Sequence, residues 1–246
     1  MSVLSVRGLS VNYSGVLALA GVDLDIHAGQ FVGLIGPNGA GKTTFIDAVC
    51  GFTRCRGEIR FDGFDITGAP PHRRARLGLA RTWQTGELFD DLTVTENLAV
   101  TAQRRGWWST IAETLGRPAA RSPRIADTLD VLDLGGFADT GADKLTQSQR
   151  KLVGVARALA GAPRLMCLDE PAAGLDSEES RHLGKHLRMI ADAGTALLLV
   201  DHDMGLVMGV CDHVVVLDFG KVIAAGPPEQ VRADPAVMAA YLGAGR

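Results

Sequence analysis

The stretch "QFVGLIGPNGAGKTTFIDAVC", residues 30–50, constrains the fold more than any other part of the chain. It opens on a short continuous apolar run without polar alternation, which reads as a strand covered on both faces of a parallel sheet. The run breaks into a glycine-rich loop and resumes as a helical pattern from Lys42. Gly36, Gly41, Lys42 and Thr43 meet the spacing G-x-x-x-x-G-K-[ST]. Glycines at these places let backbone N–H groups close around phosphate oxygens, and the following helix brings its positive end to the same point. Lys42 adds a point charge for terminal phosphates, and the Thr43 hydroxyl is a ligand for Mg²⁺. Gly36, Asn38, Gly39, Ala40, Gly41, Lys42, Thr43 and Thr44 are therefore the candidate phosphate-binding set.

Two later segments share the buried-strand pattern, "RLMCL" at 164–168 and "TALLLV" at 195–200. Each runs directly into ionisable residues: Asp169-Glu170 after the first, Asp201-His202-Asp203 after the second. In open α/β sheets ligands sit beyond the carboxyl ends of strands, so three strand ends point at one site. An isolated Asp-Glu after an apolar run is most simply a solvated strand end. Beside a phosphate loop, Asp169 becomes the candidate Mg²⁺ holder and Glu170 the residue that polarises an attacking water.

The remaining pattern frames this core. The first 30 residues alternate apolar and polar positions as β-structure, residues 87–160 turn helical, and 213–226 reads as a hairpin followed by a short helix within 234–243. With 25 basic and 28 acidic residues the net charge is −3, which gives no basic footprint for nucleic acid. No apolar run approaches the roughly 20 residues that span a bilayer. The N-terminus shows no secretory signal pattern, and a cytosolic chain is expected. Cys167 and Cys211 lie in apolar context and read as core residues; Cys50 and Cys55 are close in sequence, but no disulfide is expected.

The segment "KLTQSQRKLVGVARALA", residues 144–160, is a capped helix on its own terms. Thr146 with Gln149 three residues on forms a capping box, and Leu152, Val155, Ala156 and Leu159 make one apolar face.

Taken in order, Tyr13, "GPNGAGKTT", Gln84 in "RTWQ", "LTQSQ", "LMCLDEP", "AGLD" at 173–176 and His202 in "VDHD" resemble the ATPase subunits of ABC transporters across essentially the whole chain. The resemblance implies an α/β P-loop NTPase core with a parallel sheet, an N-terminal antiparallel β-subdomain and an inserted α-helical subdomain. The core would comprise 1–86 and 160–246, and the helical signature subdomain 87–159. Tyr13 would stack on adenine; its plainer reading is an aromatic ending an edge strand. Gln84 would reach Mg²⁺ and the attacking water while sensing a membrane partner, and His202 would bond the γ-phosphate. Thr146, Gln147, Ser148 and Gln149 would face the ATP held by a second cassette, and Asp176 would act across the same interface. The family's pattern departs at Ser148, where glycine is usual, and at Gly154, where an acidic residue is common. A serine adds a Cβ and a hydroxyl where backbone is expected to approach phosphate. An asymmetric pair of sites is the expectation.

"RTWQTGELFDDLTVTENL", "DEPAAGLD", "DHDMGLVMGVCD" and "ADPAVMAAYLG" narrow the resemblance to branched-chain amino-acid importers, the larger of that system's two ATPases. Urea and amide importers share this look, and the lipopolysaccharide-export ATPase shares the C-terminal part. The implied partners are integral-membrane permease subunits, a second ATPase (a heterodimer being favoured), and indirectly a solute-binding protein. ATP and Mg²⁺ are the implied cofactors, and the cytoplasmic face of the membrane the implied place. Residues 101–124 carry five arginines, one glutamate, Trp107 and Trp108. A solvated insertion with packed tryptophans is the plainer reading, a basic aromatic face toward membrane or permease the other. Two readings from other classes stand beside a transporter: a low-turnover nucleotide-dependent regulator, and a soluble ABC ATPase acting on DNA or ribosomes.

Overall fold

A computed structural model describes residues 2–82, 88–102 and 122–243. Gln84, Trp107 and Trp108 lie outside the described residues. Strands β1 (Ser2–Tyr13) and β2 (Val16–His27) pair antiparallel; burial alternates along Val22–His27 of β2 and is interrupted in β1, where the register shifts. With β4 (Arg56–Phe61) and β5 (Phe64–Asp65) they form a four-stranded sheet in the order β2-β1-β4-β5.

The second sheet is built on strands without alternation. β3 (Phe31–Ile35), β7 (Leu165–Asp169) and β8 (Ala196–Val200) have every residue buried. β6 (Leu79–Thr82) lies outside β7, and β9 (His213–Asp218) with β10 (Lys221–Gly226) closes the other edge. The order is β10-β9-β3-β8-β7-β6, parallel except for the β9–β10 hairpin. Leu34 pairs with Val200 and Val200 with Asp169, so the three central strands end level.

Helix α1 (Lys42–Cys50) follows the phosphate loop, and α2 (Pro71–Leu77) leads into β6. Between the sheet strands lie α3 (Val94–Ala102), α4 (Pro123–Val131) and α5 (Gln147–Ala160). α6 (Ser177–Asp192) and α7 (Met204–Val210) follow β7 and β8, and α8 (Pro228–Arg232) and α9 (Pro235–Gly243) close the chain. One sheet face packs on α1 and the antiparallel sheet through Phe45, Ile46, Leu198 and Leu217. The other packs on α3–α6 through Leu98, Leu129, Val153 and Leu187, so the inserted helices share a core with the sheet. In α5, Leu152, Val153, Val155, Ala156 and Ala160 are buried and Leu159 half-buried, so Val153 and Ala160 join the face that the sequence pattern marks. All four cysteines are free.

Arg74 of α2 is fully buried and, among the described residues, forms no salt bridge, though the charge of Asp65 acts on it. Its guanidinium donates to the Ala48 and Val49 carbonyls at 2.7 Å, to Thr67 at 2.8 Å and to Ala69 at 2.8 Å. Val49 is among the carbonyls that the end of α1 leaves without an intrahelical donor, and Ala48 also accepts the Gly51 N–H at 3.2 Å. Gly51 makes room: a Cβ there would lie 2.8 Å from Arg74 Nε. Burial lowers the arginine's pKa, and four carbonyls compensate in place of an ion partner. Replacing it strands those carbonyls, so Arg74→Met should lower stability by about 3 kcal/mol in urea unfolding, and Arg74→Lys by nearly as much.

Candidate active site

The phosphate loop is held open by backbone contacts only glycine permits. Gly36, directly after β3, has φ 149°, and a Cβ would sit 2.1 Å from the Leu217 carbonyl oxygen of β9. Gly41 has φ 104°, and its Cβ would meet the Ala18 carbonyl oxygen at 2.7 Å. Gly220 N–H donates to the Ala40 carbonyl at 3.0 Å, and Ala20 N–H to the Gly220 carbonyl at 2.9 Å, tying the loop to β2 and the β9–β10 turn. Asn38 and Gly39 are exposed at the tip, Ala40 is buried beneath, Thr43 is exposed and Thr44 half-buried at the start of α1. Lys42 Nζ folds over the loop and donates to the Gly36 carbonyl at 2.7 Å and the Pro37 carbonyl at 3.0 Å. Burial holds its ammonium below the usual lysine range, opposed in part by Glu170 and Asp169.

Asp169 is the last residue of β7 and is buried. Arg81 of β6 donates to its Oδ2 at 2.9 Å and reaches Asp47 of α1 at 2.5 Å. Burial raises the Asp169 pKa, and the hydrogen bond and charge of Arg81 work against that rise. Glu170 follows in the left-handed region at φ 47°, its N–H donating to the Val200 carbonyl at 2.7 Å. A non-glycine residue held there is strained, as residues at functional sites often are. His202, with a largely exposed ring, places Nδ1 3.9 Å from Glu170 Oε2.

The His202 loop is organised by Asp201, which is buried directly after β8. Its Oδ1 accepts N–H from His202 at 2.8 Å and Asp203 at 3.0 Å, and Oδ2 accepts from Ala172 at 3.3 Å. One carboxylate thus fixes the chain after β7 to the chain after β8. Lys151 of α5 also borders the site: burial lowers its pKa, and the charges of Asp201 and Glu170 partly restore it.

The capping box at the head of α5 is present in both directions. Gln149 N–H donates to Thr146 Oγ1 at 3.3 Å, and Thr146 N–H to Gln149 Oε1 at 2.9 Å. Ser148 is half-buried in the first turn. Gln147 lies against the "AGLD" turn, where a Cβ on Gly174 would be 2.7 Å from its Nε2. Asp176 caps α6, accepting N–H from Glu178 at 2.8 Å and Glu179 at 2.9 Å. Tyr13 ends β1 exposed, its hydroxyl 2.9 Å from Thr53 Oγ1.

The fold thus gathers Gly36–Thr44, Asp169, Glu170 and His202 at the ends of adjacent strands. Arg81, Asp201 and Lys151 complete the surroundings without having been singled out in the sequence. The only signal for Asp201 was its place directly after a buried strand, and Arg81 stood unweighed beside the glutamine in "RTWQ".

Many phosphate-loop proteins share such a parallel sheet; the antiparallel sheet bearing Tyr13 and the capped helix reaching the site through Lys151 make this one an ATP-binding cassette. The chain belongs to the ABC transporter family, whose pattern matches residues 19–173, and residues 221–246 match the family described as branched-chain amino acid ATP-binding cassette transporter. As a member it is a nucleotide-binding ATPase subunit of a transporter. It is 40% identical to the high-affinity branched-chain amino acid transport ATP-binding protein BraF of Pseudomonas aeruginosa, over 98% of both chains. Identity to LivG of Escherichia coli, described in the same words, is 37% over 98% of both. The lipopolysaccharide export system ATP-binding protein LptB of Haemophilus influenzae is 34% identical over 99% of this chain and 98% of its own. A cassette of an ABC transporter solved in its ADP conformation superposes with TM-score 0.85 at 28% identity, over 99% of both chains.

Removing the Asp201 carboxylate leaves three N–H groups to find other partners. Asp201→Ala should lose about 3 kcal/mol of stability in urea unfolding. Asp201→Asn, which keeps one acceptor oxygen, should lose clearly less.

Proposed function

We propose that this chain hydrolyses ATP at the cytoplasmic face of a membrane to power an importer of branched-chain amino acids or related small polar solutes such as urea or amides. The observation that carries the cargo class is the near full-length similarity to BraF and LivG together with the C-terminal match at 221–246. LptB supports a second reading, the ATPase of a lipid-export system, at lower identity. Among the described residues no helix is long and apolar enough to cross a membrane; integral-membrane permease subunits would be the partners.

The site's chemistry fits a nucleoside triphosphate. Gly36 and Gly41 let the loop pack closely on Leu217 and Ala18, where a Cβ would clash, and Lys42, Thr43, Asn38, Gly39, Ala40 and Thr44 complete the loop that would hold the phosphates. Tyr13 would stack on adenine. Asp169 and the Thr43 hydroxyl, with Gln84, would hold Mg²⁺, an oxygen donor set such a hard cation prefers. When bound, Mg²⁺ would neutralise charge developing on the transferred phosphoryl group. Glu170 would take a proton from the attacking water, and His202 would hold the γ-phosphate and keep Glu170 oriented. A polyphosphate beside Lys42 and a cation beside Asp169 both reverse the pKa shifts that burial imposes.

We assign residues 1–86 and 160–246 to the nucleotide-binding core and 87–159 to a helical signature subdomain. The helix opening at Thr146-Gln147-Ser148-Gln149 would present its N-terminal N–H groups to ATP on a second ATPase, with Asp176 at the same interface. A heterodimer is favoured, because Ser148 would weaken the site that this signature completes. A cleft of about 800 Å³ lies between the core and the inserted helices, lined by Phe52, Leu79, Thr82, Leu88, Phe89 and Val155. A permease segment seated in this cleft would contact both the core and the inserted helices.

Purification of the chain from detergent-solubilised membranes should bring integral-membrane subunits with it, and the assembly should release phosphate over many turnovers. Glu170→Gln should keep assembly and ATP binding but lower turnover by about 10² or more. Phe89→Glu should lose the membrane subunits and keep ATP binding. Recovery of nucleic acid or ribosomes instead would overturn the transporter reading, and a single turnover would favour a regulator. Ser148→Gly, assembled with the native partner, should raise the ATPase rate or tighten ATP severalfold; unchanged values would remove the asymmetric-pair reading.

A further inference from the structure

Away from the nucleotide site, α6 carries His182 and His186, spaced i and i+4 and so on one face of the helix. Their rings lie 4.5 Å apart between centroids at an interplanar angle of 83°. Facing them is Asp133, at the turn that ends α4. The turn is set by Leu134 N–H donating to the Leu129 carbonyl at 2.8 Å, with Asp133 in the left-handed region at φ 52°. Aspartate tolerates that conformation better than most residues.

His186 is buried, and Nδ1 lies 3.1 Å from the Val131 carbonyl. A carbonyl only accepts, so Nδ1 carries a proton, and the tautomer with that single proton has its lone pair on Nε2. Among the described residues Nε2 is buried and has no hydrogen-bond partner. Another acceptor, Asp133 Oδ2, lies 4.0 Å from it. A helix-capping role accounts for Nδ1 and leaves Nε2 facing the Asp133 carboxylate. One ligand atom from each of Asp133, His182 and His186 lies within 4.8 Å of the others.

We propose that Asp133, His182 and His186 form a binding site for a transition-metal dication of the zinc class. Two imidazole nitrogens and one carboxylate oxygen form a donor set that suits Zn²⁺, Co²⁺ or Ni²⁺ and disfavours Mg²⁺ or Ca²⁺. Donation of Nδ1–H to a backbone carbonyl is the outer-shell bond that orients a ligating histidine. Tetrahedral ligands at zinc distances stand about 3.4 Å apart, so the site closes by modest rotation of two side chains. His182 and Asp133 are the exposed pair able to make that movement, while His186 is fixed. The fourth position is left to water. The ion would join the end of α4 to α6, cross-linking the inserted helices to the helix that Asp176 caps.

The test titrates Co²⁺ into the full chain, reading the visible absorption of a tetrahedral centre, and Zn²⁺ by calorimetry. One equivalent should bind, and Zn²⁺ should raise the melting temperature. His182→Ala and Asp133→Asn alter exposed side chains, so they should keep the fold by circular dichroism. Each should weaken binding by more than about tenfold, the effect of losing even an outer-shell partner, and abolish the thermal shift. No stoichiometric uptake by the wild-type chain would overturn the site. So would binding that persists unchanged in the His182→Ala/Asp133→Asn double variant, which would place the ion on other histidines or cysteines.

Discussion

Every residue of β3, β7 and β8 is buried, because the parallel sheet is covered by one core on each face. The backbone groups of such strands are satisfied by their neighbours, and their apolar side chains leave no place for a charge within the sheet. Polar chemistry can emerge only where the strands stop. The register makes them stop together, with Leu34, Val200 and Asp169 in one row. Gly36, Glu170 and Asp201 follow within two residues of that row, so the site is a consequence of the register and not of any one loop.

The same covering forces buried charges to be shared among several partners. Arg74 satisfies four carbonyls, Arg81 reaches two carboxylates and Asp201 accepts three N–H groups. Each ties together segments that the chain itself leaves far apart. Among the groups expected to act, Thr43 and His202 are exposed and Glu170 half-buried, whereas Lys42 and Asp169 are themselves buried and hydrogen-bonded. The more exposed groups stand on these ties, and the buried ones belong to them.

This separation explains what could be read from the sequence. The phosphate loop, the non-alternating strands and the Thr146–Gln149 cap are local: glycine spacing, apolar periodicity and a three-residue interval carry them. The antiparallel sheet shows itself through alternation in the first 30 residues, whereas β9 of the C-terminal hairpin is buried at four consecutive positions. Arg81 and Asp169 are 88 positions apart, His186 and Val131 55, and no periodicity links such pairs. The α6 cap gave a comparable local signal, since Asp176 and Glu179 repeat the three-residue spacing of the signature cap. The resemblance points Asp176 toward an interface, and the structure adds that it caps its own helix.

That helix is where the long-range ties converge. Asp176 opens it, Ser180 Oγ donates to Asp203 Oδ2 at 2.8 Å, and His186 reaches the Val131 carbonyl at 3.1 Å. Arg188 then donates to Asp212 Oδ1 at 2.9 Å, and Asp212 Oδ2 accepts the Phe31 N–H at 2.8 Å. A single rigid element therefore touches the "AGLD" turn, the His202 loop, the end of α4 and the start of β3. Close-packed interiors transmit displacement instead of absorbing it. Ser180, one turn on from Asp176, is hydrogen-bonded to Asp203, whose backbone adjoins His202. The bonds of this helix thus run contiguously from its N-terminal cap to the His202 loop within one chain.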